Sequence, residues 1–164
     1  MTDQLAPQIR PALESDLSGM VELERVCFPN PWSIAMLTAE LEHPSSLTLV
    51  AVDPLSEPTG MGYLTTRIMS DEAEILRIAV SPRLRRCGIG SQILRFALEH
   101  LARSGIGRCF LEVRPDNRGA IELYRRFGGR TEHIRKAYYR DRADALIMSL
   151  EPPAALVDRA RIYP

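Results

Sequence analysis

Short apolar runs recur along the chain, and their period predicts strands. Buried strands have continuous or alternating apolar residues, often β-branched, over four to eight positions. Six segments are predicted as strands on this basis: residues 8–13, 47–52, 61–68, 73–80, 108–113 and 143–150. Residues 130–139, more polar, are predicted as a seventh strand. Pro11 lies in the first segment, and because proline cannot donate to a β-ladder, that strand is predicted at a sheet edge.

Four intervening segments have apolar residues three and four positions apart, which predicts amphipathic helices. Ser15 or Asp16 is expected to cap the first, Ser33 the second and Asn117 the fourth. The third follows Gly88 and Gly90 and is expected to end at a left-handed Gly105. The apolar sides of the first two helices are expected at Leu17, Met20, Val21, Leu23 and Val26, and at Met36, Leu37 and Leu41.

The predicted order is strand, two helices, three strands, helix, strand, helix and two strands. Strand–helix–strand crossovers on both sides of the Gly88 turn require some parallel pairing, so a mixed sheet in an α/β (α+β) protein is expected. At 164 residues the chain is most simply one domain over residues 1–151, followed by a tail at 152–164.

Composition narrows the function classes. The formal net charge is zero, which implies no global attraction to nucleic acid or to a membrane. Nearly all cations are arginines, since Lys136 is the only lysine, and arginine suits local anion sites. Cys27, Cys87 and Cys109 lack C-x-x-C spacing, which favours reduced thiols and a cytoplasmic protein, and no histidine spacing predicts a metal site.

The turn before the third helix carries candidate chemistry. Gly88 and Gly90 let the backbone approach a ligand, and the first helical N–H groups have no partner inside the helix. Arg83, Arg85 and Arg86 add cations, so an anion such as a pyrophosphate is the expected ligand. The turn lacks the Gly-Lys-Ser/Thr ending of a P-loop; the alternative is an ordinary strand–helix turn.

Several motifs in order resemble the GNAT superfamily and, within it, the RimI-type N-terminal acetyltransferases. The likeness extends from the first strand to Leu150 and implies a GNAT fold: a mixed, mostly antiparallel sheet of about seven strands flanked by about four helices. The motifs are Arg85-x-x-Gly88-x-Gly90, Leu111-Glu112-Val113-Arg114, Asn117-x-x-Ala120-x-x-x-Tyr124, Arg135-Lys136-Ala137-Tyr138-Tyr139 and the loop Phe28-Pro29-Asn30-Pro31-Trp32-Ser33, which has two residues more than the F-P-W-S loop of that family.

This resemblance implies acetyl transfer from acetyl-CoA, without a metal, to a protein N-terminus, typically the alanine of the eighteenth small-subunit ribosomal protein. It implies Glu112 as proton acceptor and Tyr124 as proton donor. We further expect a cytoplasmic monomer or weak dimer that does not bind nucleic acid directly. The cofactor contacts implied are Ile78, Ala79, Val80, Arg86, Cys87, Gly88, Ile89, Gly90, Ser91 and Asn117.

The residue chemistry is consistent with those roles and leaves alternatives open. Glu112 is a carboxylate in an apolar strand, able to accept an amine proton or to pair with an arginine. Tyr124 can protonate a leaving thiolate, or it can be a core tyrosine. Trp32 is expected to form an apolar wall beside a substrate groove or to fill core space. Of Tyr138 and Tyr139, strand alternation would send at most one to the groove; cross-strand packing is the alternative.

Two positions depart from the family pattern. Gly129 stands where an aromatic residue usually follows the glycine, and Cys87 lies in the phosphate turn, where it is either oxidant-sensitive without CoA or a small tolerated side chain. The rival functions are a GNAT enzyme acting on lysine or on a small-molecule amine, and a non-catalytic acyl-CoA sensor.

Overall fold

A computed structural model of the chain describes residues 7–54 and 60–153. The predicted element order is confirmed, with two additional 3-10 turns at Glu14–Asp16 and Pro82–Leu84. Residues 1–6, 55–59 and 154–164 lie outside the described residues, and the last of these ranges holds most of the predicted tail. The strands are β1 (Gln8–Pro11), β2 (Ser46–Val52), β3 (Gly62–Met69), β4 (Glu72–Val80), β5 (Arg108–Val113), β6 (Arg130–Arg135) and β7 (Ala145–Leu150), and the helices are α1 (Leu17–Cys27), α2 (Ile34–Glu42), α3 (Ile89–Arg103) and α4 (Arg118–Arg126).

The strands form one mixed sheet in the order β1-β2-β3-β4-β5-β7-β6. The predicted parallel pairing is between β4 and β5, with Glu74 opposite Phe110, and α3 is their crossover. The pairs β1–β2, β5–β7 and β6–β7 are antiparallel. Strand β1 lies first in this order, which confirms the edge position predicted from Pro11.

The chain divides into two compact units. Unit 1 comprises residues 1–66 and 77–97, and unit 2 comprises residues 67–76 and 98–164. In the core of unit 1, the inner sides of α1 and α2 pack against residues of the strands. The buried members of this core are Ala12, Leu17, Met20, Leu23, Leu37, Val50, Val52, Tyr63 and Ala79. The prediction of a single domain over residues 1–151 stays a prediction.

Unit 2 buries the inner side of α4 and one face of β5 and β7, including Cys109, Leu111, Ile121, Tyr124 and Met148. Helix α3 ends as predicted, because Gly105 has φ 85°. Ile106 N–H then donates to the carbonyl of Leu101 at 2.9 Å, the long bond of a Schellman motif.

Several local predictions were wrong. Val26 and Met36 are 50% and 48% exposed, so they do not belong to the apolar sides of their helices. Asp16 does not cap α1; its carboxylate accepts hydrogen bonds from Leu13 N–H at 2.7 Å and from Arg10 at 2.7 and 2.9 Å.

The predicted caps Ser33 and Asn117 are confirmed, because their side chains accept from the backbone of Met36 and Ala120. Strand β6 ends at Arg135, four residues before the predicted end.

Candidate active site

The glycine turn of unit 1 has the backbone that an anion site needs. Gly88 has φ 83°, a conformation that favours glycine, and Gln92 N–H donates to its carbonyl at 3.0 Å. That bond is the first of α3, so the N–H groups of Ile89, Gly90 and Ser91 precede the helical ladder. Arg86 has φ 63°, a left-handed conformation rare for a residue with a side chain, and such conformations cluster at ligand sites.

The three arginines of this turn differ in the contacts that they make. Arg85 Nε donates to the carbonyl of Val80 at 3.3 Å, and its terminal nitrogen lies 3.6 Å from Cys27 Sγ. Arg85 therefore anchors the turn to the end of β4. Arg83 and Arg86 are exposed, as are Cys87 and Gly88.

The remaining predicted cofactor residues lie at two element ends. Ile78, Ala79 and Val80 form the last part of β4, in unit 1. Asn117, in unit 2, uses its side-chain oxygen to accept from Ala120 N–H at 3.1 Å. Its side-chain NH₂ has two donors in addition, so capping α4 and contacting a ligand are compatible.

In unit 2 the structure brings Glu112 together with a cation and a phenol. Its Oε1 accepts from an Arg135 terminal nitrogen at 2.8 Å, and its side chain is 25% exposed. The ring of Tyr138 lies near the same arginine, with 5.4 Å between guanidinium and ring centroid. A hydrogen bond with Glu112 raises the pKa of the Tyr138 hydroxyl, with a smaller contribution from burial. The arginine pairing foreseen for Glu112 is thus present, and its role as proton acceptor stays a prediction.

A second carboxylate near Glu112 was missed by the sequence analysis. Glu74 lies on β4 opposite Phe110, and side chains at 110 and 112 share one face of β5. Partial burial raises the pKa of Glu74, and the negative charge of Glu112 raises it further. A signal was available, because Glu74, like Glu112, interrupts an apolar strand.

Tyr124 lies on the other face of β5. It is 3% exposed and adjoins Cys109, and residues 109 and 112 point to opposite faces of a strand. Burial raises the pKa of the Tyr124 hydroxyl, and burial raises the pKa of the Cys109 thiol to about 12. Both groups therefore stay protonated near neutral pH, and the Tyr124 phenol is available as a donor.

Tyr138 and Tyr139 do not alternate across a strand, because both follow the end of β6. Ala137 has φ 50° and turns the chain, and the two rings meet edge to face with centroids 5.3 Å apart. Tyr138 is next to Glu112 as described, whereas the Tyr139 ring lies 4.8 Å from the guanidinium of Arg114. Tyr138 is therefore the tyrosine of this pair that adjoins the candidate proton acceptor.

Trp32, in unit 1, has features both of a core residue and of an exposed apolar wall beside a groove. Its ring packs against the core of unit 1 and is only partly buried. The guanidinium of Arg77 lies 4.9 Å from the Trp32 ring centroid and 4.1 Å from that of Phe28.

Over residues 7–54 and 60–153, no cluster of three or more His, Cys, Asp or Glu could hold a metal ion. No helix in the same ranges combines the length and apolar character needed to cross a membrane.

Comparison with known proteins adds independent findings. The family model "Acetyltransferase (GNAT) family" matches residues 17–129. The ribosomal protein bS18-alanine N-acetyltransferase of Salmonella typhimurium is 31% identical over 140 residues, which cover 83% of this chain and 91% of that protein. The N-alpha-acetyltransferase RimI of Mycobacterium tuberculosis is 36% identical over 141 residues, covering 82% and 85%.

Solved structures agree with the sequence relatives. The crystal structure of the ribosomal-protein-S18-alanine N-acetyltransferase from Escherichia coli matches with a TM-score of 0.80 and 29% identity, over 89% of this chain and 94% of that one. A crystal structure of Arabidopsis thaliana NAA60 with acetyl-CoA, at 20% identity and a TM-score of 0.78, shares the fold. The chain therefore belongs to the GNAT family of acetyl-CoA-dependent N-acetyltransferases.

Proposed function

We propose that this enzyme transfers the acetyl group of acetyl-CoA to the N-terminal α-amine of a protein, and that its substrate is the N-terminal alanine of ribosomal protein bS18. The support is that relatives named for that activity align with more than four fifths of the chain. We place the activity in one domain over residues 1–151.

The observation that carries the proposal is the pair of carboxylates in unit 2. An α-ammonium group has a pKa of about 8 and must lose a proton before its nitrogen can attack. Glu112 and Glu74 lie on one face of the sheet, and two negative charges attract the cationic N-terminus. Glu112 then accepts the proton. The hydroxyl of Tyr138 beside it provides a hydrogen-bonding group for the first residues of the peptide.

Tyr124 supplies the second proton transfer of the reaction, to the sulfur of the leaving thiolate. Acetyl-CoA provides an activated acyl group, so attack by the amine nitrogen forms the C–N bond and breaks the C–S bond. The amine nitrogen approaches the acyl carbon from one direction, and the thiolate leaves in another. A proton acceptor on one face of β5 and a buried, protonated phenol on the other face match that requirement. The proton that Tyr124 gives to sulfur is regained from solvent.

Cofactor binding is assigned to the glycine turn and its surroundings. The N–H groups of Ile89, Gly90 and Ser91 and the positive end of the α3 dipole bind the pyrophosphate, and Arg86 adds charge. The end of β4, at residues 78–80, binds the pantetheine amides through its backbone. In unit 2, the side-chain NH₂ of Asn117 keeps two donors for a ligand.

A peptide panel tests the α-amine assignment. Short peptides that begin with Ala, Ser, Met or Gly and contain one internal lysine are prepared with free and with blocked N-termini. Each is incubated with acetyl-CoA, and thiol release and peptide mass are measured. We expect acetylation of free N-termini, with Ala preferred, and none of the blocked peptides. Acetylation of the blocked peptides at lysine would refute the α-amine assignment, and peptide-independent binding of CoA without turnover would indicate a sensor.

A further inference from the structure

A fully buried carboxylate in unit 1 has no role in the function proposed so far. Glu24, in the third turn of α1, is 0% exposed. A carboxylate removed from water is tolerated only when hydrogen bonds and a counter-charge compensate it. Its Oε2 accepts from Trp32 N–H at 2.6 Å, its Oε1 accepts from the hydroxyl of Tyr63, and Arg77 Nε lies 3.6 Å from Oε1.

Two of these partners concern the loop that joins α1 to α2: Trp32 belongs to it and Arg77 contacts it. Pro29 and Pro31 have no N–H, so the loop has few backbone donors, and Trp32 offers the first one after Pro31. Glu24 takes that donor, while Arg77 donates to the carbonyl of Asn30 at 3.0 Å. A buried acid and its paired base therefore hold two backbone atoms of the same loop.

The same pair fixes the two aromatic rings of the loop. The Arg77 guanidinium lies 4.1 Å from the Phe28 ring centroid and 4.9 Å from the Trp32 ring centroid, and its side chain is 19% exposed. Arginine does not lose its charge, and it stacks on aromatic faces. The position of the Trp32 ring thus depends on Arg77, and the position of Arg77 depends on the Glu24 charge. Burial, and secondly the hydrogen bond to Glu24, raises the pKa of Tyr63, which keeps its hydroxyl a donor.

We propose that Glu24 is a positioning residue for peptide recognition: through Arg77 and Trp32 N–H it sets the Phe28–Trp32 loop that contacts the first residues of the substrate. This inference rests on the proposed function, because it takes Trp32 as part of the peptide-binding wall. A hydrophobic residue of similar volume can usually replace a buried ion pair without loss of stability, so orientation of the loop is the property that the charge provides.

Glu24→Gln is the central variant, since glutamine retains an oxygen for Trp32 N–H and loses the charge that orients Arg77. We expect KM for an Ala-first peptide to rise about tenfold, the effect of one charge-assisted hydrogen bond, while KM for acetyl-CoA stays within about twofold. Trp32 is the only tryptophan, so its fluorescence reports the loop without substrate, and we expect a red shift of its emission.

Asp16→Asn is the matched control. Asp16 is also on the N-terminal part of unit 1, is 4% exposed and pairs with Arg10 at 2.7 Å. That variant should unfold at lower urea concentration, as Glu24→Gln should, but with unchanged emission and unchanged peptide KM. If Glu24→Gln does not fold, the double variant Glu24→Gln/Arg77→Met removes both charges together and is measured in its place, with the same expected rise in peptide KM.

The outcomes separate this inference from the proposed function. A wild-type enzyme that leaves every free N-terminus unmodified refutes the proposed function, whereas the fluorescence comparison does not use a substrate. An unchanged peptide KM in Glu24→Gln, or an equal rise in Asp16→Asn, overturns the positioning role. A red shift together with a peptide-specific KM increase, confined to variants of the Glu24–Arg77 pair, supports it.

Discussion

Gly129 offers the sharpest test of how α4 holds Tyr124. A Cβ at position 129 would lie 2.7 Å from the carbonyl oxygen of Tyr124, 2.8 Å from its carbonyl carbon and 3.1 Å from Leu150 Cδ2. The first two are backbone atoms, which cannot rotate away. Gly129 N–H also donates to that carbonyl oxygen at 2.9 Å, completing a Schellman motif with Gly128 at φ 80°.

Gly129→Ala should therefore move the last turn of α4 or break the capping hydrogen bond. Overpacking costs about 1–3 kcal/mol, and a lost hydrogen bond adds about 1 kcal/mol. Alanine has less conformational freedom than glycine in the unfolded chain, and this offsets about 0.4–1 kcal/mol of the destabilisation. We expect the free energy of unfolding to fall by about 1–3 kcal/mol, and kcat to fall as well if the Tyr124 hydroxyl is the proton donor. Gly129→Phe, which restores the usual family pattern, should be at least as harmful here.

Urea unfolding and steady-state kinetics measure these effects, and α4 provides the control. Gly119 lies in the same helix with nothing within 4 Å of a built Cβ, so Gly119→Ala should stabilise by about 0.5–1 kcal/mol. Equal stability of the two alanine variants would refute the close-contact reasoning. A destabilised Gly129→Ala enzyme with wild-type kcat would separate the packing of α4 from catalysis.

Three further predictions concern the titratable groups. Tyr124→Phe should lower kcat by about 10²–10⁴-fold without changing KM for acetyl-CoA, and an unchanged kcat would assign the tyrosine to packing. The pKa of Glu74 is raised in the fold, so the stabilising contribution of this residue is complete below the unfolded pKa of about 4.3 and is lost as the pH rises through the folded value. In urea titrations, Glu74→Gln should therefore be more stable than wild type at pH 8 but not at pH 4. A stability difference that does not depend on pH would contradict this. Cys87 is exposed in the glycine turn and Cys109 is buried, so saturating CoA should slow iodoacetamide labelling of Cys87 and leave that of Cys109 unchanged; equal Cys87 rates with and without CoA would place this thiol outside the site.

Element types and their order were predictable because they depend on local periodicity. The caps Ser33, Asn117 and Gly105 were found for the same reason, since a cap involves only neighbouring residues. Predictions that depended on surroundings were less accurate. Asp16 has the right residue type for an α1 cap, but Arg10 and the Leu13 N–H bind its carboxylate, and Arg10 belongs to a different element.

The chain itself determined the family, the glycine turn and the candidates Glu112 and Tyr124, because side-chain types at fixed spacings along a strand or helix are local information. Only the tertiary structure decided what each charged group touches. It pairs Glu112 with Arg135, brings Glu74 to the same sheet face and encloses Glu24 with Arg77. The two residues of each of these pairs are 23, 38 and 53 positions apart in sequence. The electrostatic energy of a desolvated charge depends on the groups that packing brings within a few ångströms of it, and these are not its neighbours along the chain.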